Sequence, residues 1–212
     1  AQEADALLSA LSERPLPFSA QSLAHASDAW RAAGFPTLRH TPEYRAAYAP
    51  AYRVIRSAYA HALPLFAAID RALSTGRTWT VALDGPAGSG KTTLSDLLAA
   101  VYDCNVFHMD DFFLRPEQRS AQRLSTPGEN VDHERFLAEI LIPLHRGEVP
   151  RYRRFDCSTC TLCPPVSVQS RPLNIIEGSY SLHPSLRPYY DFCVYLSISP
   201  DEQAARIRAR NT

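Results

Sequence analysis

The chain has 212 residues, with 22 Lys+Arg balanced by 22 Asp+Glu and an apolar share of 45%. Because the formal net charge is zero, no overall field would attract nucleic acid or an anionic membrane surface, and we expect neither as a partner. No apolar run approaches the length needed to span a bilayer, and the N-terminus lacks a signal-peptide pattern. Five cysteines are an odd number in a chain too long to need disulfides, which predicts a reducing, cytoplasmic location.

Residues 1–76 predict a helical N-terminal extension. Cap residues, a proline at a first helical position and apolar periodicity mark its helices. We expect these helices at Ala4–Leu11, from Ser19 to Ala33, from Thr41 onward and at Leu63–Leu73. No residue of the extension has a chemical role that the sequence assigns.

From residue 77 to residue 212 the pattern changes to strands that alternate with helices. This alternation predicts a doubly wound α/β domain with a parallel sheet. An apolar strand at Trp79–Leu83 leads into Gly85–Thr92, which fits G-x-x-x-x-G-K-[ST] without a mismatch. An amphipathic helix follows, so the motif has the flanking structure that a phosphate-binding loop (P-loop) requires.

The residue types in this motif suit a nucleotide. Glycines let successive N–H groups point at phosphate oxygens, and the N-terminus of the following helix adds positive charge. Lys91, the only lysine in the chain, would reach the β- and γ-phosphates, and the Thr92 hydroxyl would ligate Mg²⁺. The predicted nucleotide-binding residues are Gly85, Ala87, Gly88, Ser89, Gly90, Lys91, Thr92 and Thr93.

Acidic residues follow two of the predicted strands. Asp110 comes after the strand Asn105–Met109, and Glu177 ends a buried strand that begins at Leu173. Because ligands bind at the carboxyl ends of strands in open parallel sheets, both acids should lie beside the P-loop. Asp110 could accept the proton of a hydroxyl that attacks the γ-phosphate. Glu177 is the second candidate ligand for Mg²⁺, together with Thr92.

Residues 150–171 are rich in proline and predict a β-hairpin excursion from the sheet. Cys157, Cys160 and Cys163 lie within it at C-x₂-C-x₂-C spacing, which invites a metal site. A closed zinc or iron–sulfur site needs four ligands, and no paired motif supplies the fourth. We therefore expect free thiols here.

The last predicted helix begins with a capping box at Ser199–Glu202. Helical spacing puts Arg206 and Arg210 on one face. Exposed arginines are often only solvated, but in a phosphoryl-transfer enzyme they are also the groups with which a lid clamps the transferring phosphate. With Lys91 and Asp110, these two arginines complete the predicted catalytic set.

Between Thr78 and Asn211 the chain resembles the uridine kinase family of P-loop small-molecule kinases, with nicotinamide riboside kinase as a close relative. The motifs that carry the resemblance follow the P-loop in family order. They are Met109–Phe113, Asn130–Phe136, Arg154–Asp156, Ile176–Gly178 and Ala205–Asn211. The resemblance implies ATP and Mg²⁺ as cofactors and a small, nucleoside-like acceptor as the partner.

The resemblance also implies roles for individual residues. Asp110 would face the acceptor 5′-hydroxyl and Asp132 the ribose diol, while Glu177 would hold Mg²⁺, partly through water. Arg206 and Arg210 would contact the phosphates. The implied substrate-binding residues are Asp110, Asp132 and, in the hairpin that covers the base, Arg154, Phe155 and Asp156.

Three positions depart from the family pattern. Phe155 stands where the family has tyrosine, and Cys160 stands where it has a histidine that reads the pyrimidine. Gln203 aligns with an arginine at the ribose. The family also continues with another strand and helix, so we expect the lid and the C-terminal part to be incomplete in this chain. The phosphate-transfer residues therefore carry over more fully than the base-reading ones.

The sequence also allows functions other than that of a uridine kinase-like phosphotransferase. The acceptor could be nicotinamide riboside, pantothenate or a sugar. A different class is a nucleotide-dependent regulatory NTPase whose N-terminal helices bind a partner protein. Such a switch would not need Asp110, Asp132 and the hairpin to converge on a pocket. Assembly into a homo-oligomer is also an open expectation.

Overall fold

The computed structural model describes residues 9, 19–36, 39–51 and 55–210. Apart from residue 9, the predicted helix at Ala4–Leu11 lies outside these residues. The chain divides into two units, Ala1–Val54 and Ile55–Thr212. Among the described residues, no helix combines the length and the apolar character that crossing a membrane would require.

Two helices in the described part of the first unit begin at the predicted caps. Helix α1 spans Ala20–Ala32, and the Ser19 hydroxyl accepts the N–H of Ser22 at 3.1 Å. Helix α2 spans Pro42–Tyr48, and its Thr41 cap accepts the N–H of Tyr44 at 3.2 Å. Both caps satisfy backbone donors that the first turn of a helix leaves without partners.

The second unit is built on a four-stranded parallel sheet. Its strands are β1 (Trp79–Asp84), β2 (Cys104–His108), β3 (Leu173–Glu177) and β4 (Phe192–Tyr195). They lie in the order β2-β3-β1-β4. In the register of the sheet, Leu83 of β1 and His108 of β2 both pair with Glu177 of β3. The carboxyl ends of these three strands therefore meet at one edge.

Helices cover both faces of the sheet. Helices α3 (Ser57–Leu73) and α4 (Lys91–Ala99) pack on the face that carries Ile175. Ile176 points to the opposite face, because successive strand residues alternate. There it packs against α6, which is α-helical at His133–Phe136, π-helical at Leu137–Leu141 and α-helical again at Ile142–His145. This arrangement confirms the predicted α/β fold.

Helix α3 packs against the sheet, although the sequence assigns it to the extension. Phe66 and Ile69 on its inner face are buried, and the Phe66 ring lies 5.7 Å from the ring of Tyr102. The Tyr102 hydroxyl is 2.7 Å from Asp70 Oδ1 and 3.0 Å from the carbonyl oxygen of Phe66. The compact second unit begins at Ile55 and includes α3.

Two nested antiparallel ladders occupy the region of the predicted hairpin. Arg151–Tyr152 pairs with Val166–Ser167, and Phe155–Asp156 pairs with Thr161–Leu162. Short helical segments precede the hairpin, among them α5 (Ala121–Ser125). The last helix, α7, spans Pro200–Arg210.

Truncating Phe66 to alanine tests whether α3 belongs to the folded body. We expect Phe66→Ala to lower the free energy of unfolding by about 3 kcal/mol, because it removes a buried ring and leaves a cavity. Leu63→Ala on the same helix is the matched control, since Leu63 is 58% exposed, and should change stability by less than about 0.5 kcal/mol. Urea denaturation followed by circular dichroism measures both. Equal, small effects would contradict the packing of α3.

Candidate active site

The P-loop connects the end of β1 to the start of α4. Gly85 has φ +150°, and a Cβ at this position would collide with the carbonyl oxygen of Leu196. Gly90 has φ +97° and caps α4 in the left-handed conformation that glycine adopts at no steric cost. The loop backbone thus depends on glycine at both ends, in agreement with the pattern in the sequence.

Lys91 is held inside this loop. Its side chain is only 8% exposed, and Nζ donates to the carbonyl oxygens of Gly85 at 2.7 Å and Pro86 at 3.1 Å. Burial lowers the pKa of Lys91, while the carboxylates of Glu177, Asp84 and Asp110 act in the opposite direction. The ammonium would have to leave the two carbonyls to meet a phosphate.

Thr92 and Glu177 meet at the edge of the sheet. Thr92 Oγ1 lies 3.3 Å from Glu177 Oε2 and 3.4 Å from Oε1. Hydroxyl and carboxylate oxygens are the donors that Mg²⁺ prefers. In the same loop the hydroxyl of Ser89 is buried and has no hydrogen-bond partner among the described residues. These donors, and the cradle that a Cβ at Gly85 would fill, fit a magnesium–phosphate group.

His108 is a site residue that sequence reasoning missed. It is the last residue of β2, and its Nδ1 lies 2.6 Å from Glu177 Oε1. The hydrogen bond to Glu177 is the main cause that raises the pKa of His108. The sequence signal that could have identified His108 is its position at the end of β2. Residues at the ends of paired parallel strands become neighbours, and His108 pairs with Glu177.

Asp84 was also missed, although it ends β1 directly before the P-loop. Its Oδ1 accepts the N–H of Gly85 at 2.6 Å and that of Tyr180 at 3.1 Å. Its Oδ2 accepts the N–H of Leu182 at 2.9 Å. One buried carboxylate therefore joins the P-loop to the segment that follows β3. A buried acid at the end of a strand was the signal that could have identified it.

The two adjacent acids after β2 occupy different environments. Both lie in a 3₁₀ turn at Met109–Phe112. Asp110 is exposed, and its charge is among those that act on Lys91. Asp111 is half-buried, and burial raises its pKa while His108 and Arg154 oppose that shift. The structure thus brings Asp110, Lys91, Thr92 and Glu177 to one edge of the sheet.

Asp132 is 2% exposed and caps helix α6. Its Oδ1 accepts the N–H of Arg135 at 3.1 Å, and its Oδ2 lies 3.5 Å from Arg135 Nε. The guanidinium of Arg135 also donates to the carbonyl oxygens of Arg153 and Asp111, at 2.5 and 3.3 Å. Asp132 Oδ2 is buried and has no hydrogen-bond partner among the described residues, and the role of Asp132 in substrate binding stays a prediction.

The hairpin residues point in different directions. Phe155 is buried, with the guanidinium of Arg119 5.8 Å from the centre of its ring. Arg154 is exposed, and its charge acts on Asp111. Asp156 accepts the hydroxyl and the N–H of Ser158, and the hydroxyl bond is the main cause that lowers its pKa. Only Arg154 of the three predicted hairpin residues therefore acts electrostatically on the site near Asp110.

The cysteines of the hairpin are free thiols, with Cys157 and Cys160 exposed and Cys163 half-buried. The only group of three or more His, Cys, Asp and Glu side chains that could hold a metal ion, among the residues described, contains no cysteine. The spacing in the sequence therefore does not correspond to an assembled thiolate site in this part of the chain.

Helix α7 lies against the P-loop. Arg206 donates to the carbonyl oxygen of Gly88 at 3.0 Å, and Gln203 donates to that of Ala87 at 2.9 Å. A second nitrogen of Arg206 pairs with Glu202 at 2.5 Å. Arg210 is exposed one turn further along the helix. Of the two predicted lid arginines, the structure places Arg206 directly on the phosphate loop.

Comparisons with known proteins agree with this geometry at the level of the fold. No family model matches the chain, and no curated protein matches it. Among solved structures, a "Possible Uridine Kinase" from Bacillus stearothermophilus is 23% identical, covers 70% of this chain and 90% of its own, and has a TM-score of 0.48. A "putative fructose transport system kinase" from Silicibacter sp. TM1040 is 27% identical, covers 63% of this chain and 72% of its own, and has a TM-score of 0.50.

The fold and the loop define a P-loop kinase architecture. The predicted resemblance to P-loop kinases is confirmed at the level of the fold, and the two similar structures are described as those of a possible and a putative kinase.

Replacing Asp84 by asparagine tests the carboxylate that fixes the P-loop. We expect Asp84→Asn to lower the free energy of unfolding by roughly 1.5–3 kcal/mol, because an amide NH₂ would face backbone N–H donors. ATP affinity should fall with it, since Gly85 loses its anchor. Asp96→Asn, an exposed acid on α4, is the control. Thermal unfolding and nucleotide titration check the prediction, and an Asp84→Asn protein as stable as the control would refute it.

Proposed function

We propose that this protein is an ATP-dependent phosphotransferase that moves the γ-phosphoryl group to a hydroxyl of a small, nucleoside-like metabolite. The observation that best supports this proposal is the meeting of three strand ends. Lys91 and Thr92 follow β1, Glu177 ends β3, and Asp110 follows β2. Phosphate-binding groups thus lie beside an exposed carboxylate that can serve an acceptor.

The donor half of the reaction would use the P-loop and α7. Loop N–H groups and Lys91 would hold the β- and γ-phosphates, and Arg206 would offset charge on the transferred group from its place on the loop. Thr92 and Glu177 would hold Mg²⁺, which when bound neutralises charge on the phosphate oxygens. Arg210 would join the phosphates if α7 moved toward them.

The acceptor half would use Asp110. An exposed carboxylate beside Lys91 can orient the attacking hydroxyl and accept its proton. Because phosphoryl transfer depends mainly on positioning and electrostatics, this requires no covalent nucleophile. Arg154, at the hairpin, would contact a polar group of the acceptor, and Phe155 and Asp156 would shape the same side. A small-molecule acceptor and a cytoplasmic location complete the proposal.

The identity of the acceptor rests on few residues. Phe155 has no phenolic hydroxyl, and Cys160 has no imidazole to read a pyrimidine. A sugar is the second candidate, because one of the similar structures is described as a kinase of a fructose transport system. Both candidates offer a primary hydroxyl to Asp110.

Asp110→Asn tests the proposed base. We expect kcat to fall on the order of a hundredfold with ATP affinity nearly unchanged, because the amide cannot take the proton. Steady-state kinetics and nucleotide titration separate the two quantities. Asp96→Asn should retain full activity, since its side chain is exposed on α4 away from the strand ends. Undiminished turnover by Asp110→Asn would remove this residue from the catalytic role.

An acceptor panel tests the reaction class. ATP consumption is measured with nucleosides, nicotinamide riboside, pantothenate and sugars, each with Mg²⁺. We expect at least one hydroxyl compound to raise turnover well above the rate with water, and Lys91→Ala to abolish the increase. If no acceptor stimulates turnover, the kinase proposal fails and a regulatory NTPase becomes the better explanation.

A further inference from the structure

Two histidines stack on each other outside the phosphate site. His133 is the first residue of α6, and His183 lies in the segment after β3; their ring centres are 4.1 Å apart at an interplanar angle of 23°. Each imidazole faces a carboxylate. Glu129 Oε1 lies 3.4 Å from His183 Nε2, and Glu134 Oε1 lies 3.6 Å from His133 Nε2.

Arg123 orients both carboxylates. Its guanidinium lies 2.5 Å from Glu134 Oε2 and 3.4 Å from Glu129 Oε2. It also donates to the carbonyl oxygens of Glu129 and Val131, at 3.0 and 3.3 Å, which fixes its position. Because the arginine occupies one oxygen of each carboxylate, the other oxygen is left to face a histidine.

One ring nitrogen of His133 lacks a partner in the described part of the chain. His133 is 8% exposed, and its Nδ1 has no hydrogen-bond partner among the residues described. A buried ring nitrogen without a partner is costly unless something binds there.

We infer that Glu129, His133 and His183 bind a transition-metal ion, and that Zn²⁺ is the best match. One ring nitrogen of each histidine and one oxygen of Glu129 lie within 4.8 Å of one another. Two imidazoles and one carboxylate are a donor set that zinc accepts, with a fourth position for water or for Glu134. Mg²⁺ prefers an all-oxygen set, so this site differs in chemistry from the one at Thr92 and Glu177.

Metal binding would require the stacked rings of His133 and His183 to tilt, because the lone pairs of an imidazole lie in the plane of its ring. Donors around a tetrahedral zinc ion are about 3.3 Å apart, so the three side chains would have to draw closer by up to about 1.5 Å. Glu129 and His183 are partly exposed and can turn to do so. When Nε2 of His183 binds the metal, its Nδ1–H would donate a hydrogen bond to the Ser185 hydroxyl, which lies 2.8 Å away. The 3.3 Å contact between Nδ1 and the N–H of Ser185 would then be lost.

The bound ion would join two segments of the second unit. Gly128 already lies against Tyr180 and His183, so the segment before α6 touches the segment after β3. The second segment is the one that Asp84 anchors to the P-loop. A metal that binds only the folded protein raises its stability by mass action. The expected effect of Zn²⁺ is therefore on stability, and the inference does not depend on the proposed function.

The test uses tag-free protein with Cys157, Cys160, Cys163 and Cys193 replaced by serine, so that exposed thiols do not compete for the ion. Zn²⁺ is titrated into the protein in a calorimeter. The buffer contains excess Mg²⁺, which occupies sites made only of oxygen ligands. We expect one Zn²⁺ per chain and a higher Tm. With Co²⁺, the absorption spectrum should show d–d bands without the thiolate charge-transfer band that remaining cysteines would give.

Two variants decide whether the named side chains are the ligands. His183→Ala and Glu129→Gln should each weaken Zn²⁺ binding by more than the roughly 10–100-fold that loss of an outer-shell partner costs. His145→Ala, which removes a histidine that lies edge-on to Tyr189, and Glu148→Gln, at an exposed position, are the matched controls and should bind like the parent. Failure of the parent to bind Zn²⁺, or unchanged affinity in the two ligand variants, would overturn the inference and leave a stacked histidine pair that only packs.

Discussion

The parallel register of β2, β3 and β1 is the constraint on which the site depends. Glu177 pairs across the sheet with Leu83 on one side and His108 on the other. This alignment places the P-loop, the Mg²⁺ candidate and the acidic turn after β2 at one edge. No single loop could bring these groups together, because each follows a different strand and they come from residues far apart in the sequence.

The edge concentrates charge that the protein only partly compensates. Lys91, Glu177 and Asp84 are all buried, and burying charged groups is costly unless they are paired or hydrogen-bonded. Asp84 accepts hydrogen bonds from three backbone N–H groups, and Lys91 donates to two carbonyl oxygens, which offsets the cost of burial. Glu177 has His108 and Thr92. A phosphate would replace the carbonyl contacts of Lys91. The ammonium group is therefore held inside the loop by hydrogen bonds that a bound phosphate could exchange for its own.

The sequence predicted the features of the fold and of the site that depend on residues close together in the chain. The P-loop, the helix caps at Ser19 and Thr41, and the strand that ends at Glu177 follow from local patterns, and the α/β fold follows from their order. The contacts of His108 and Asp84 depend on pairing between distant strands, which periodicity does not encode. The packing of α3 was missed for a similar reason, since a helix pattern gives its apolar face but not the surface that this face meets.

The start of α6 shows how one short segment can serve two different surfaces. Successive helical residues are about 100° apart, so neighbours in the sequence face different directions. Asp132 and Arg135 link α6 to the acidic turn and to the hairpin, through Asp111 and the carbonyl oxygen of Arg153. His133 faces the segment after β3, where His183 lies. The start of α6 therefore links the acidic turn and the hairpin to the segment that Asp84 joins to the P-loop.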